Sequence, residues 1–197
     1  MFRNHLRPAL VTLALFSVIT GLAYPLAVTL IGQLLFPSKA NGSLIRSDST
    51  FVGSELIGQS FTQPRYFWGR PSATGSIPYD ASASSGSNYG PLNQTFLDAV
   101  EKRVDTLRAA DPGNTNPVPV DLVTSSGSGL DPHISVAAAL YQIRRVAHLR
   151  GRSEANIRAI VDRHTEGRQW GMLGEARVNV LLLNLDLDGR LNRSGGK

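Results

Sequence analysis

The segment PALVTLALFSVITGLAYPLAVTLIGQLLFPS, residues 8–38, runs for 31 residues without a charged side chain. Its central 21 residues, 10–30, would form a helix that crosses the hydrocarbon core of a bilayer, about 30 Å at 1.5 Å of rise per residue. The segment is apolar on all sides rather than along one stripe, which disfavours a helix in the core of a soluble domain. It therefore predicts a transmembrane helix over residues 8–37.

A cleaved secretory signal is the alternative interpretation of this segment. The apolar core of such a signal spans about 7 to 15 residues and ends at a small-x-small site, which residues 21–23 could supply. The apolar run continues beyond that site to Phe36, so cleavage would leave an apolar new N-terminus. An uncleaved anchor is therefore favoured. Gly21 and Pro25 are expected to loosen or kink the helix.

The charges that flank the span predict its orientation. Arg3 and Arg7 lie seven and three residues before its central stretch, 10–30, whereas Lys39 and Arg46 lie nine and sixteen residues after that stretch. Since basic residues close to a span remain in the cytoplasm, residues 1–7 are predicted to be cytoplasmic and the rest of the chain extracytoplasmic.

Composition limits what the remaining residues, 38–197, can do. They are enough for one domain with a hydrophobic core. The chain carries a net charge of +5 and has a pI of about 10. Such a charge can indicate binding to nucleic acid, but an extracytoplasmic domain makes that partner improbable. Because the chain has no cysteine, disulfides, thiolate catalysis and cysteine-based metal sites are excluded.

Three amphipathic helices are predicted in this domain. The first covers residues 93–110 and has an apolar residue on one face in each turn. The second begins with Asp131 as N-cap and Pro132 at the first helical position, and ends at Gly151. The third covers residues 153–164, with a serine as its N-cap.

Short strands are predicted between these helices. Residues 42–63 suggest two strands, or a strand and a loop, and residues 118–123 suggest another. Residues 177–188 alternate apolar side chains on both faces, which is typical of a strand covered on both sides. The predicted fold is therefore α/β or α+β, with a single transmembrane helix before one mixed helix and sheet domain.

Residues 65–91 combine a loop composition with regularly placed aromatic residues. Glycine, serine and proline make up 12 of the 21 residues in 71–91. A long segment of this kind in a compact domain is usually functional, so a surface that contacts a partner protein is one interpretation. A loop packed on its own domain is the other. The candidate interface residues are Arg65, Tyr66, Phe67, Trp68, Arg70, Tyr79 and Tyr89.

The usual catalytic motifs are absent from the sequence. None of the three lysines lies in a phosphate-binding loop, and G-x-S-x-G, H-E-x-x-H and G-x-G-x-x-G do not occur. The four histidines do not have the spacing of a metal-ligand set. No catalytic residue and no metal site are therefore predicted.

A serine- and glycine-rich turn, residues 125–129, lies between the predicted strand and the predicted second helix. Glycines let backbone N–H groups converge, and a helix N-terminus favours an anion, so phosphate binding is physically possible. The turn lacks a lysine, however, and Asp131 would repel a phosphate, which favours a purely structural turn. The candidate nucleotide-binding residues here are Ser126, Gly127, Ser128 and Gly129.

Five arginines follow along the second and third predicted helices. They could form a basic patch, but arginines on solvent-facing sides and in late helical turns are common, which favours the structural interpretation. They are Arg144, Arg145, Arg150, Arg152 and Arg158.

Several segments together resemble the C-subunit family of the Kdp-type potassium-transporting ATPases, KdpC. They occur in the order of that family, span nearly the whole chain and include its single N-terminal span. These segments are RPAL (7–10), YPL (24–26), NGSLI (41–45), GSELIGQSF (53–61), YFWGRPSA (66–73), PYDASASSGSN (78–88), VTSSGSGLDPHIS (123–135), QIRRVA (142–147) and GEARVNVLLLNLDLD (174–188).

The resemblance implies an accessory subunit of a complex in the bacterial inner membrane. Its partners would be a channel-like subunit that conducts potassium, a P-type ATPase subunit that hydrolyses ATP, and the lipid bilayer. The chain lacks the D-K-T-G-T motif of the phosphorylated subunit. It would not be an enzyme by itself and would have no cofactor of its own.

The resemblance also implies a role as a catalytic chaperone that raises the nucleotide affinity of the ATPase subunit. In that role ATP would be shared with the ATPase subunit, and the residues concerned are Gln142 and the turn at 124–129. The sequence departs from the family pattern at Ser85, Ala176 and Asp186.

Two hypotheses therefore remain open. In the first, the domain stabilises the channel subunit from outside the membrane, through residues 65–91. In the second, it modulates nucleotide affinity on the cytoplasmic face through Gln142. The predicted orientation conflicts with the second hypothesis, because it places Gln142 outside while ATP is cytoplasmic. An amide in that position could instead bond a neighbouring backbone group.

Overall fold

A computed structural model describes residues 2–47 and 49–191. The chain divides into two compact units, one ending at Leu44 and the other beginning at Ile45. The predicted cytoplasmic segment, 1–7, begins with Met1, and the predicted domain, 38–197, ends with residues 192–197. These terminal residues lie outside the described residues.

The N-terminal unit is a nearly continuous helical rod. Its elements are α1 (Phe2–Val18), a π-helical turn (Ile19–Ala23), α2 (Tyr24–Leu35) and the short α3 (Pro37–Ala40). The 31 residues from His5 to Leu35 form a helix that is long and apolar enough to cross a membrane. The large apolar side chains of this stretch are exposed, so they require lipid or partner helices to cover them.

The π-helical turn occurs where the sequence predicts a loosened helix. Pro25 has no backbone N–H to donate to the carbonyl four residues earlier. The N–H of Tyr24, the residue immediately before Pro25, donates to the carbonyl of Ile19, five residues back. A wider turn of this kind is a known accommodation of proline within a helix.

The second unit is an α+β domain, one of the two predicted fold classes. A two-stranded sheet pairs β1 with β2, and an antiparallel three-stranded sheet has the order β3-β5-β4. Single 3-10 turns lie at Ala81–Ala83 and Val120–Leu122. The regular elements are β1 (Leu44–Ser47), β2 (Thr50–Ser54), α4 (Gln94–Ala110), β3 (His133–Ser135), α5 (Val136–Arg150), α6 (Glu154–Arg163), β4 (Thr165–Glu166), β5 (Arg177–Asn179) and α7 (Val180–Leu187).

The main core lies where α5, α6 and α7 pack against the three-stranded sheet. Its fully buried side chains include Val146, Ile157 and Leu183. The opposite side of α7 covers a smaller cluster, in which Leu181 and Leu185 pack on Ile45 of β1. Helix α7 is therefore buried on both sides.

The predicted strand over residues 177–188 is wrong beyond its first three residues. Only Arg177–Asn179 is a strand, and Val180–Leu187 forms α7. A helix buried on both sides is apolar all round, so its sequence cannot be distinguished by periodicity from a buried strand. Helix signals were nevertheless present: Asn179 accepts a hydrogen bond from the N–H of Leu182 as the N-cap, and Gly189 follows the helix with φ of 66°.

The predicted start of the second helix is also wrong. Asp131 instead accepts a hydrogen bond from the N–H of His133 at 2.9 Å, and residues 133–135 form β3. The N-cap is Ser135, whose hydroxyl oxygen accepts from the N–H of Ala138 at 3.0 Å. Pairing of β3 with β5, more than 40 residues later in the chain, overrides the local capping signal.

The strand predicted at residues 118–123 is replaced by the 3-10 turn at Val120–Leu122. Asp121 in this turn accepts hydrogen bonds from the backbone N–H and the hydroxyl of Ser135, at 2.7 and 3.1 Å. The turn therefore fixes the start of α5 instead of adding a strand. The first and third predicted helices, and the end of the second at Gly151, are confirmed by α4, α6 and α5.

Asp186 of α7 connects that helix to the end of α6. Its carboxylate lies 3.0 Å from the guanidinium of Arg163 and 2.9 Å from Nε2 of His164. Burial raises the pKa of Asp186, but hydrogen bonds from His164 and Arg163 outweigh that effect and hold the pKa below its ordinary value.

We expect Asp186→Asn to remove a pH-dependent part of the stability. Because the folded-state pKa of Asp186 is lowered, its contribution is present above the unfolded-state value of about 3.9 and is lost as pH falls through the folded-state value. Urea unfolding from pH 7 to pH 3 should show a difference of about 1 kcal/mol between wild type and variant that shrinks below about pH 4. Parallel pH profiles for the two proteins would contradict this assignment.

Candidate functional site

An irregular segment, residues 64–68, runs from the surface into the main core, and its backbone is bonded by buried side chains. Gln142 of α5, only 1% exposed, accepts a hydrogen bond from the N–H of Trp68 at 2.8 Å. Its amide nitrogen donates to the carbonyl of Trp68 at 3.2 Å and to that of Ala138, also at 3.2 Å. The Gln142 amide thus bonds both backbone groups of one residue, as a neighbouring strand would.

Asn184 of α7 repeats this arrangement one residue earlier. Its side-chain oxygen accepts from the N–H of Phe67, and its nitrogen donates to the carbonyl of Phe67, both at 2.9 Å. The Phe67 ring is completely buried in the main core. Two amides on two different helices therefore hold Phe67 and Trp68 in place. We call Gln142 and Asn184 the amide pair.

Arg145 binds the same segment from α5. One guanidinium nitrogen donates to the carbonyls of Pro64 and Tyr66, and the other donates to the side-chain oxygen of Gln142 at 2.6 Å. The guanidinium carbon lies 4.2 Å from the ring centroid of Trp68, within cation-π range. Burial lowers the pKa of Arg145 to about 10, so the group remains charged at neutral pH. Arg145, expected on a solvent-facing side, is instead buried.

Arg150 completes the bonding of the segment. Its Nε donates to the carbonyl of Arg65 at 2.9 Å, and its Nη1 lies 2.9 Å from a carboxylate oxygen of Asp188. The other oxygen of Asp188 accepts the hydroxyl of Tyr66 at 2.7 Å. As a result, every carbonyl from Pro64 to Trp68 accepts a hydrogen bond from a side chain of α5 or α7.

These contacts place most of the candidate interface residues inside their own domain. Phe67 is buried, and Tyr66 and Trp68 are half-buried against it. Arg70 lies 3.3 Å from Asp131, and the hydroxyl of Tyr79 donates to the carbonyl of Arg70. Burial raises the pKa of Tyr79 to about 12.

Arg65 and Tyr89 are the two candidate interface residues with exposed side chains. The seven residues therefore do not form one open surface, and the contacts correspond to a loop packed on its own domain. Contact of these residues with a partner stays a prediction.

The serine- and glycine-rich turn packs on the preceding loop. The carbonyl of Ser128 accepts hydrogen bonds from the N–H of Ser85 and the hydroxyl of Ser84, both at 3.0 Å. Gly129 is buried with φ of 69°, and a Cβ there would lie 2.6 Å from the carbonyl oxygen of Ser85. Since β3 separates the turn from α5, no helix N-terminus follows it directly.

The other turn residues differ in their exposure. Ser126 is buried, whereas Gly127 and Ser128 are exposed. Nucleotide binding by residues 126–129 and by Gln142 stays a prediction, and the structure places Gln142 in the buried cluster around Trp68.

Sequence reasoning missed Asn184, and it named Arg145 only as a member of a possible basic patch. A signal existed for Asn184, because an amide within the apolar run 180–187 indicates a buried polar group that needs a partner. Arg145 had a weaker signal: it lies three residues after Gln142, on the same side of a helix. Within residues 2–47 and 49–191, no group of three His, Cys, Asp or Glu side chains is placed to hold a metal ion.

The fold and this cluster define a class of protein: an α+β domain with an internally bonded polar centre that follows one candidate membrane-spanning helix. The family described as "K+-transporting ATPase, c chain" matches residues 6–189. The chain therefore belongs to the KdpC family.

Individual relatives agree with this assignment. The potassium-transporting ATPase KdpC subunit of Methylococcus capsulatus is 64% identical over 185 residues, which cover 94% of this chain and 97% of that one. The KdpC subunit of Sorangium cellulosum is 63% identical over the same shares. The KdpC subunit of Dechloromonas aromatica is 58% identical over 94% of this chain and 97% of its own.

We expect Gln142→Ala to destabilise the domain by about 2 to 4 kcal/mol, because it leaves the N–H of Trp68 and a guanidinium nitrogen of Arg145 buried without a partner. Gln94→Ala, which removes an exposed glutamine that bonds Asp98, is the matched control and should change the free energy of unfolding by less than about 0.5 kcal/mol. If chemical denaturation shows that both variants lose the same free energy of unfolding, the buried bonds of Gln142 contribute no more to stability than an exposed bond.

Proposed function

We propose that this chain is the accessory subunit of an ATP-driven potassium uptake complex, non-catalytic by itself. It assembles with the ion-conducting subunit and the P-type ATPase subunit and stabilises them. The observation that carries this proposal is membership of the KdpC family over residues 6–189, in a chain whose apolar helix is suited to a bilayer. The names of the relatives indicate the same complex.

The helix, in this proposal, spans the bacterial inner membrane once and leaves the N-terminus in the cytoplasm. Arg3 and Arg7 lie within seven residues of the central apolar stretch, 10–30, whereas Lys39 and Arg46 lie nine and sixteen residues beyond it. Because basic residues next to a span are retained in the cytoplasm, the α+β domain is placed outside.

The construction of the domain supports a role in binding rather than in chemistry. The buried polar groups at its centre, Gln142 and Asn184, bond the protein's own backbone. Buried hydrogen-bond networks of this kind rigidify a fold. A rigid extracytoplasmic domain on a single helix is suited to holding other membrane subunits in place.

Modulation of ATP affinity is the competing function. Direct contact between Gln142 and a nucleotide would require its bonds to Trp68 and Arg145 to break, which exposes buried polar groups. It would also require the domain to face the cytoplasm. The side of the membrane on which the domain lies and the effect of Gln142 on the ATP dependence of the ATPase can be measured separately.

Labelling of single cysteines should establish the orientation, and the absence of native cysteine makes the experiment clean. Ser76→Cys and Asn116→Cys introduce exposed thiols on two separate loops, and His5→Cys introduces one at the N-terminal end of the helix. In intact spheroplasts, an impermeant maleimide should label the two loop variants, whereas the His5 variant should react only after lysis. The opposite pattern would overturn the proposed orientation.

The ATP dependence of the assembled ATPase should be the same in Gln142→Ala and Asn184→Ala. Both variants remove one member of the amide pair, so both destabilise the domain, but the nucleotide hypothesis involves Gln142 alone. Under our proposal, any loss of activity follows the amount of folded subunit in the complex, and the KM for ATP changes by less than about twofold in both. A KM raised about tenfold in the Gln142 variant alone, about 1.4 kcal/mol, would favour the nucleotide function.

A further inference from the structure

The hairpin between β4 and β5 carries an apolar tip that its own domain does not cover. Gln169 and Leu173 exchange two backbone hydrogen bonds across the hairpin, at 2.8 and 2.9 Å. Between and beside them, Trp170 is 80% exposed, Met172 76% and Leu173 52%. We call these three apolar residues the hairpin tip. Large apolar side chains that are exposed together on a protruding turn are typical of interaction sites.

The backbone of the hairpin tip is fixed in a conformation that favours glycine. Trp170 has φ of 53°, and Gly171 next to it has φ of 76°. A large side chain rarely adopts a positive φ, and such strain is retained where the surrounding structure imposes it. The two bonds between Gln169 and Leu173 impose it here. The backbone that carries the tryptophan is therefore preformed before any partner arrives.

The charged residues below the tip neutralise one another. Arg168 lies 2.8 Å from Glu175, and Arg177 lies 2.9 Å from Glu166. The two pairs leave the hairpin without net charge. An anionic lipid surface is attracted by unpaired basic residues, so this stem offers it no electrostatic advantage. Paired charges around an exposed apolar centre instead resemble the polar rim of a protein interface.

We propose that the hairpin tip is an anchor that inserts into an apolar pocket on the extramembrane surface of another subunit of the transport complex. Tryptophan and methionine are enriched in the centres of protein interfaces, and a tryptophan is a frequent hot spot. A preformed anchor gains affinity from a pocket of matching shape, because little conformational freedom is lost on binding. A fluid bilayer has no pocket of fixed shape and so gives no such advantage. This inference rests on the proposed function.

Photocrosslinking in the intact complex tests the contact directly. A benzophenone amino acid replaces Trp170 in the full-length chain, which is produced together with the other subunits of its complex. We expect ultraviolet light to join the chain to one other subunit. The matched control carries the same probe in place of Leu92, an apolar residue that is 91% exposed but distant in sequence from the hairpin, and its crosslinking should remain at background.

Substitution then measures what the contact contributes. Trp170→Gly removes the side chain and accepts the positive φ without strain, so the domain should keep its melting temperature. Retention of the chain on a complex purified through a tag on the ATPase subunit should fall about tenfold or more, the loss expected at an interface hot spot. Leu92→Ala should leave retention unchanged.

The outcomes separate this inference from the proposed function. If the wild-type chain is not retained with the other subunits, the proposed function fails. If the wild type and the Trp170→Gly variant are retained equally, and the probe at position 170 yields no crosslink to a subunit, only the anchor is overturned. Strong quenching of Trp170 fluorescence by brominated lipids in the reconstituted complex, measured in a Trp68→Phe background, would overturn it in favour of the bilayer.

Discussion

Side chains, rather than a neighbouring strand, bond the carbonyls of residues 64–68 and the N–H groups of Phe67 and Trp68, and the rest of the domain depends on this. Phe67 must enter the core, and with it come peptide groups that lose contact with water. An unpaired peptide group in that position costs about 1 to 3 kcal/mol. The amide pair, with Arg145 and Arg150, provides the missing bonds from α5 and α7. The segment is thereby tied to two helices at once.

This constraint explains how a serine- and glycine-rich part of the chain becomes ordered. Residues 69–92 contain little regular structure beyond one 3-10 turn. They follow a segment that is held by the core, and they are held in turn by contacts such as that between Ser85 and Ser128. A segment whose composition is typical of disorder is thus ordered by its contacts with residues that are themselves held by the core. The same arrangement explains why glycine is required at position 129, where the two loops approach closely.

The residues that the family resemblance associates with nucleotide affinity acquire a structural explanation in this domain. Gln142 bonds the backbone of Trp68, and the turn at 126–129 packs on the loop before it. Neither group needs a ligand to account for its placement. The hairpin tip, in contrast, is apolar and exposed, and the described residues of its own domain do not cover it. We therefore expect partner proteins to bind the surface of the domain and not its buried polar groups.

Local signals in the sequence were sufficient for the apolar helix, for α4 and α6, and for the family. The length of an uncharged apolar run, capping residues and helical periodicity are all local features of the sequence. They can therefore be recognised without knowledge of the tertiary structure. Over residues 180–187 the cap signals competed with a strand-like apolar pattern, and the tertiary structure decided for the helix. The tertiary structure alone decided that Phe67 is buried, because its backbone partners lie far away in the chain. Gln142 and Trp68 are separated by 74 residues, and Asn184 and Phe67 by 117. A side chain that bonds a distant backbone leaves no periodic pattern in the sequence.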